Sequence, residues 1–221
     1  MEEIRNLNEL NKGIHKKWIW GSEENYYRSC DYLQKINYSI QDLNREIPAL
    51  MKSSMKEVIY IIVLIDWICE AVEAIFGILK EEIRNAYSEP ETEDVLKSRK
   101  FFKAIRSFVV AHPLSTNRHK EYGLDGSWIC VDIRSQTMVV TRAYSPNSDW
   151  FHLDFDGVKE NARDQDADFV LYAYSAKKDG MKFYKYISVD FKDLYQVARY
   201  QVEKLYELDK YLGKIKKKDF R

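Results

Sequence analysis

The sequence predicts an α+β protein that is mainly helical: a bundle of long helices with one small antiparallel β-sheet inserted before the C-terminal helix. Two observations lead to this prediction. Apolar residues recur at spacings of three and four through much of residues 1–119, which is the period of an amphipathic helix. After residue 120 the pattern changes to short alternating runs rich in aromatic and β-branched residues, and helical spacing returns near residue 190.

Length and composition indicate an ordinary globular protein. The chain has 221 residues, is 45% hydrophobic and contains only 8 Gly and 4 Pro, which excludes disordered and collagen-like classes. This length fits one large domain or at most two small ones. We expect a single domain over 1–221, made of a helical bundle (1–119), a β-rich insertion (120–189) and a C-terminal helix with a basic tail (190–221).

The cysteines and the N-terminus favour a cytoplasmic protein without a membrane span. Cys30, Cys69 and Cys130 are far apart and form no C-x-x-C motif, which suits free thiols in a reducing compartment. No cationic segment followed by an apolar run opens the chain, so no signal peptide is expected. The longest apolar run, Val58 to Cys69, is shorter than the roughly 20 residues that a span requires. We therefore interpret it as a buried helix.

The first two helices have clear sequence signals. Ser22 is placed to cap a helix that runs to about Glu46, and Pro48 ends it because proline disfavours helical geometry in the preceding residue. Its predicted buried face comprises Leu33, Ile36, Ile40, Leu43 and Ile47. Ser54 and Glu57 form a capping box for a second helix, which is apolar on almost every side and is expected to reach about Tyr87.

The remaining elements follow in order. A third helix is expected from Thr92 to about His112, where Pro113 ends it. Two predicted hairpins come next, the second with its turn at Asp179-Gly180. Their strands are Trp128–Ile133 with Met138–Arg142, and Phe169–Tyr174 with Lys182–Ile187. The last helix should occupy Phe191 to about Leu212, with Leu194, Val197, Ala198, Val202, Leu205 and Leu208 as its buried face.

Charge is segregated along a chain that is neutral as a whole. Residues 97–120 hold seven basic residues and no acid, whereas residues 121–168 hold ten acids and four bases. Arg99, Lys103 and Arg106 fall at i, i+4 and i+7 and form one cationic stripe, with Phe101, Phe102 and Phe108 beside it. Such a stripe can attract a polyanion such as RNA, with phosphate contacts and aromatic faces for stacking. The alternative is a solvated helix face that pairs with the acidic segment.

The segment from Arg106 to His112 carries the residue types of acid–base chemistry on a phosphate. Arginine keeps its charge and binds phosphate with a planar fork, and histidine titrates near neutral pH. On an ideal helix, residues six apart point about 120° away from each other. Pro113 biases His112 out of helical geometry and so allows its ring to turn toward the arginine.

Arg106 and His112 match the R-x4-6-H motif, and here the chain resembles the HEPN superfamily of helical bundles over about Lys52 to His119. The resemblance implies dimerisation through the motif helices. It also implies either metal-independent endoribonuclease activity in toxin–antitoxin, abortive-infection or CRISPR systems, or a non-catalytic role in binding RNA or a partner. Two features depart from the family pattern. Ser107 stands where active members usually carry Asn, Asp or His, and the sheet lies outside the minimal bundle.

The resemblance implies a role for each motif residue. His112 would take the proton from a ribose 2′-OH, and Arg106 would stabilise the charge that develops on the phosphate. Arg99, Lys103, Arg118 and His119 would bind RNA. No metal or cofactor is expected, and the expected partners are RNA, a second copy and an antitoxin or other protein. The structural alternatives are a histidine that meets helix C-terminal carbonyls and an arginine in a surface ion pair.

Two further groups were considered. Asp66, Glu70 and Glu73 share a helix face at i, i+4 and i+7, but no E-x-x-H motif or histidine spacing accompanies them, so pairing with basic residues is favoured over a metal site. A third functional hypothesis is a small-ligand pocket in the sheet. It would be built from Tyr172, Tyr174, Tyr184, Tyr186 and Trp128, although aromatic abundance is also typical of sheet packing.

Overall fold

A computed structural model of the protein describes residues 1–48, 54–88, 93–111, 128–132, 141–142, 168–176 and 182–220. Most of these residues are helical, which confirms the mainly helical prediction. The helices are α1 (Glu23–Glu46), α2 (Met55–Gly77), α3 (Glu81–Ala86), α4 (Glu93–Arg106) and α5 (Phe191–Lys214). The strands are β1 (Trp128–Asp132), β2 (Thr141–Arg142), β3 (Phe169–Ala176) and β4 (Lys182–Val189).

Helix α1 begins and ends where the sequence predicts. The Ser22 side chain caps it by accepting a hydrogen bond from the backbone N–H of Asn25 at 3.1 Å. Ile36, Ile40 and Leu43 are fully buried, so the central part of the predicted apolar face is in the core. One helical face thus supplies the burial that stabilises a 24-residue helix.

Helix α2 has the predicted capping box but ends earlier than expected. The Glu57 carboxylate accepts a hydrogen bond from the backbone N–H of Ser54 and another from the Ser54 side chain. These two bonds hold the pKa of Glu57 below its ordinary value. The expected single helix to Tyr87 is wrong, because α2 ends at Gly77 and the short α3 follows. In the break between them the N–H of Lys80 donates to the carbonyl of Ile19 at 2.9 Å, a tertiary contact that replaces a helical bond.

The N-terminal segment is part of the core although the sequence gives it little helical character. Its apolar side chains are buried: Ile4, Leu10, Ile14, Ile19 and Trp20. A 3-10 helix occupies Lys17–Trp20, and the rest of the segment is irregular. A polar contact with α5 therefore satisfies its backbone.

That contact is centred on Asp209 of α5, a carboxylate that is only 2% exposed. Its two oxygens accept hydrogen bonds from four consecutive backbone N–H groups at 2.8–3.3 Å, those of Asn11, Lys12, Gly13 and Ile14. Lys16 adds a second contact, because its Nζ donates to the carbonyl of Leu212 at 2.7 Å near the C-terminal end of α5. We call residues 11–16 with Asp209 the N-terminal clamp.

Gly13 is required in the clamp because of its close approach to α5. A Cβ at this position would lie 2.3 Å from both the carbonyl carbon and the Cβ of Leu212, a distance that forces the two segments apart. At Gly77, by contrast, an added Cβ meets nothing within 4 Å. The two glycines therefore form a matched pair for substitution.

We expect Gly13→Ala to lower the free energy of unfolding by about 1–3 kcal/mol, because the added methyl group overpacks a contact with backbone. Gly77→Ala should leave stability unchanged or raise it by up to about 1 kcal/mol, since alanine loses less backbone entropy in a helix. Urea unfolding followed by circular dichroism measures both variants. Equal midpoints for the two would contradict the close approach at Gly13.

Helix α5 closely follows its prediction. The structure extends it to Lys214, and every residue of the predicted apolar face is buried: Leu194, Val197, Ala198, Val202, Leu205 and Leu208. At its start the Asp168 carboxylate accepts a hydrogen bond from the N–H of Phe191 at 2.7 Å. The rings of Phe169 and Phe191 pack with their centroids 5.8 Å apart.

The strands are ordered β1-β3-β4-β2 in the sheet. Strands β3 and β4 pair antiparallel along their whole length, from Phe169 opposite Val189 to Ala176 opposite Lys182. Strand β1 pairs antiparallel with β3, with Trp128 opposite Tyr174. The packing of one sheet face against the helices remains a prediction.

The predicted pairing of the first two strands with each other is wrong. Strand β1 pairs with β3, and the two-residue β2 pairs in parallel with β4, so the sheet is not wholly antiparallel. The physical reason is the turn chemistry. Ser135-Gln136-Thr137 contains no Gly or Asn for the positive φ angles of a tight hairpin, whereas Asp179-Gly180 lies between β3 and β4.

The chain divides into two compact units. One comprises Met1–Ile47, Leu64–Thr92 and Ala198–Arg221, and the other comprises Pro48–Val63 and Glu93–Val197. The first unit contains the N-terminal clamp, and the second contains α4 and the strands. The domain boundaries that we inferred from the sequence stay a prediction.

Candidate nucleic-acid interface

Helix α4 is the element that carries the cationic segment. It has five basic residues and two acids, Glu93 and Asp94, which both lie in its first turn. Lys103 and Arg106 occupy its last turn. This distribution matches the helix dipole, whose positive end favours acids and whose negative end favours bases. The same charges that could attract a polyanion therefore also stabilise the helix.

The apolar side of α4 is fully in the core. Ser98, Phe101, Phe102, Ala104 and Ile105 are all 2% exposed or less. Their spacing is that of a helix with one buried face, and this packing fixes the orientation of α4. The basic residues are consequently confined to the remaining surface of the helix.

The predicted stripe is only partly open to solvent. Arg99, Lys103 and Arg106 are half-buried, and none of the three is without an interaction partner. Lys97 and Lys100 are the exposed basic residues of α4. Both belong to the basic run of the sequence, but they lie off the i, i+4, i+7 spacing that predicts the stripe.

The expectation that phenylalanine rings stack on bases is wrong. Phe101, Phe102 and Phe108 are 0%, 1% and 1% exposed, so their rings belong to the core. Apolar rings on a helix are typical of a buried face as well as of an exposed binding face. Burial stabilises each ring by roughly 1.5–3 kcal/mol relative to exposure to solvent. Any nucleic acid at α4 would therefore meet cations rather than these rings.

The motif begins where the helix changes its geometry. α4 ends at Arg106, and Ser107–Ala111 form a π-helical turn instead of continuing the α-helix toward position 112 as expected. A π-turn closes hydrogen bonds between residues five apart and is frequent at functional sites. Ser107, Phe108 and Val109 are all buried, and three consecutive buried residues cannot share one narrow face of an α-helix.

This change removes the basis for the 120° separation inferred from an ideal helix. Arg106 lies at the end of α4, half-buried, and Ala111 at the end of the π-turn is exposed. His112 lies outside the described residues, as do the predicted RNA-binding residues Arg118 and His119. The relative position of Arg106 and His112 thus remains a prediction.

The acidic residues of α2 have different environments. Asp66 is buried at 8% exposure, Glu73 is half-buried and Glu70 is exposed, and each makes an interaction. Within the described ranges, no group of three His, Cys, Asp or Glu side chains is arranged to hold a metal ion. In the same part of the chain, no helix has the length and apolar character to cross a membrane.

The residues of the hypothetical aromatic pocket are close in the backbone register of the sheet. Trp128 pairs with Tyr174, and Tyr174 pairs with Tyr184. Tyr172 pairs with Tyr186, two residues along the same strands. A ligand site formed by these residues stays a hypothesis.

Comparison with known proteins gave no relatives. Family models, curated proteins and solved structures all lack a match to this chain. The functional interpretation therefore depends on the residues themselves.

Proposed function

We propose that the protein is an HEPN-like, metal-independent endoribonuclease that acts in defence or as a toxin, with Arg106 and His112 as its catalytic residues. The observation that carries the proposal is the position of Arg106. It is the last residue of a cationic helix, and a π-turn follows it over Ser107–Ala111, the five residues that precede His112 in the sequence. Arginine at such a helix end can bind a phosphate with its planar fork, and π-turns are frequent at functional sites.

The proposed reaction is transesterification within the RNA. His112 accepts the proton of the ribose 2′-OH, the 2′-oxygen attacks the adjacent phosphorus, and the bond to the 5′-oxygen breaks. The 5′-oxygen takes up a proton from water as it leaves, His112 returns its proton to solvent, and the other product ends in a 2′,3′-cyclic phosphate. Arg106 stabilises the extra negative charge on the phosphate oxygens in the transition state.

RNA binding in this proposal is electrostatic. Lys97 and Lys100 join the predicted RNA-binding residues Arg99, Lys103, Arg118 and His119, and all six contact phosphates rather than bases. Affinity would then depend little on sequence and fall steeply with salt. We further propose that the protein is a cytoplasmic homodimer in which two Arg106/His112 pairs face one cleft. An antitoxin would block this cleft. The β-rich segment would be an insertion before α5.

The test is an RNA cleavage assay with the full chain in excess chelator. We expect wild-type protein to produce fragments with 2′,3′-cyclic phosphate ends, and His112→Ala to be slower by at least about 100-fold, the lower range for loss of a general base. His15→Ala is the matched control, because His15 is an exposed histidine whose ring contacts the carbonyl of Leu10. Equal rates for the two variants would exclude His112 as the base.

A non-catalytic RNA-binding or partner-binding module is the second candidate. It is favoured by Ser107, which departs from the pattern of active family members and is only 7% exposed, so its side chain is in the interior. Binding of RNA by wild-type protein without cleavage of any RNA tested would support this candidate against the first.

A further inference from the structure

Trp67 is the most exposed of the large apolar side chains that the structure describes on helix α2. Much of helix α2 is buried, and the neighbouring Asp66 and Ile68 are 8% and 0% exposed, although Ile59 and Tyr60 about two turns earlier are exposed at 36% and 37%. Trp67 is 43% exposed. Tryptophan is the residue type most enriched among the energetically dominant residues of protein interfaces. The surface around this exposed tryptophan is therefore a candidate for protein binding.

That surface is a groove between α1 and α2 within the unit formed by Met1–Ile47, Leu64–Thr92 and Ala198–Arg221. It has a volume of about 290 Å³. Leu64, 2% exposed, gives it an apolar base, and the exposed rings of Trp67 and Tyr38 line it. Asp31 and Asp42 of α1 also line it. The volume is at the lower limit of ligand sites, roughly 300 Å³, which suits one long side chain.

The electrostatics of the groove favour a cation. The ammonium of Lys35 lies 4.4 Å from the centroid of the Trp67 ring, so the ring face already attracts a positive charge. Asp42 forms an ion pair with Arg45, whereas Asp31 has no ion pair among the residues that the structure describes. Helix α1 as a whole carries five acids and three bases. A cation that displaces Lys35 from the ring would thus find an aromatic face and, in Asp31, a carboxylate without an ion pair among the described residues.

We propose that this groove docks a segment of a partner protein by receiving an arginine side chain. The guanidinium stacks on the aromatic face, its N–H groups donate to the Asp31 carboxylate, and its aliphatic stem covers Leu64. Arginine fits better than lysine because its planar group is more weakly hydrated and stacks on rings. Lys35 moves from the ring into solvent. The proposal does not depend on Arg106 or His112, so it holds for either candidate function.

The test uses the full chain labelled with 5-fluorotryptophan and observed by ¹⁹F NMR. The spectrum of the Trp67→Phe variant lacks one resonance, and this missing resonance is assigned to Trp67. The probe is the acetylated, amidated tripeptide Leu-Arg-Leu, and the control peptide replaces arginine by citrulline, which has the same shape without the charge. We expect the arginine peptide to shift the Trp67 resonance saturably and to bind at least about fivefold more tightly than the citrulline peptide.

Two charge variants give the matched control. Asp31→Asn should weaken the arginine peptide by at least about fivefold, since it removes the carboxylate partner. Glu46→Gln makes the same charge change on α1 outside the groove, and we expect binding within about twofold of wild type, as for a screened distant charge.

Three results would overturn the proposal. Absence of any shift with the arginine peptide excludes the site. Equal binding of the citrulline peptide shows an apolar groove without cation recognition. A shift of the Trp67 resonance with protein concentration, in the absence of peptide, assigns the groove to contact with a second copy of the chain.

Discussion

Replacing Asp209 by alanine is expected to lower the free energy of unfolding by roughly 2–6 kcal/mol, because two buried N–H groups are left unsatisfied at about 1–3 kcal/mol each. The carboxylate is 2% exposed and accepts from the backbone N–H groups of residues 11–14. Without it, the buried N–H groups of Gly13 and Ile14 lose their acceptor and retain their cost of desolvation, and the part-buried N–H groups of Asn11 and Lys12 lose theirs. Urea unfolding followed by circular dichroism measures the change.

Two variants control for charge and for hydrogen bonding. Asp219 accepts a single backbone hydrogen bond, from Lys216 at 3.0 Å, and is exposed, so Asp219→Ala should change stability by at most about 1 kcal/mol. Asp209→Asn keeps one acceptor oxygen and should fall between wild type and Asp209→Ala. A stability of Asp209→Ala close to that of Asp219→Ala would show that the N-terminal segment does not depend on the clamp.

The sequence predicts the parts of the fold that depend on local patterns. Ser22 and the apolar spacing along α1 locate that helix, and the six buried positions of α5 are all read from periodicity. The error at the end of α2 has a tertiary cause. Apolar character continues past Gly77, and only the contact between Lys80 and Ile19 shows why the helix stops.

The N-terminal clamp escaped the prediction because its bonds join residues almost 200 positions apart. A signal was nevertheless present. Asp209 lies four residues after Leu205 and three before Leu212, on the stripe that the sequence assigns to the core. A carboxylate at such a position requires partners. The Gly13 that approaches α5 has no local pattern that distinguishes it from a glycine in a loop.

The candidate site was only partly predictable for a similar reason. Spacing alone identifies a basic helix, but it does not show which of its residues the core covers. Burial of Phe101 and Phe102 fixes the orientation of α4, leaving Lys97 and Lys100 exposed and Arg99 half-buried. The π-turn after Arg106, in which Ser107, Phe108 and Val109 are all buried, has no signal in the apolar periodicity of the sequence.

Under the proposed mechanism, Arg106→Lys should reduce RNA cleavage by about 10²–10³-fold, the effect of losing one preorganised donor in a transition state. Lysine keeps the positive charge but lacks the planar fork that holds two phosphate oxygens at once. RNA affinity should therefore remain close to wild type, because the charge responsible for phosphate attraction is unchanged. A large loss of rate with little loss of binding is the signature of a catalytic arginine.

Arg99→Lys is the control, since Arg99 lies on the same stripe of α4, is also half-buried and belongs only to the proposed RNA-binding set. It should cleave within about threefold of wild type, because a phosphate contact outside the reacting centre needs charge rather than a fork. Both variants should unfold near the wild-type temperature, as substitutions that keep the charge and length of a partly exposed side chain usually change stability by about 0.5 kcal/mol. Cleavage by Arg106→Lys at the rate of Arg99→Lys would place Arg106 among the binding residues and leave the catalytic proposal without its electrostatic group.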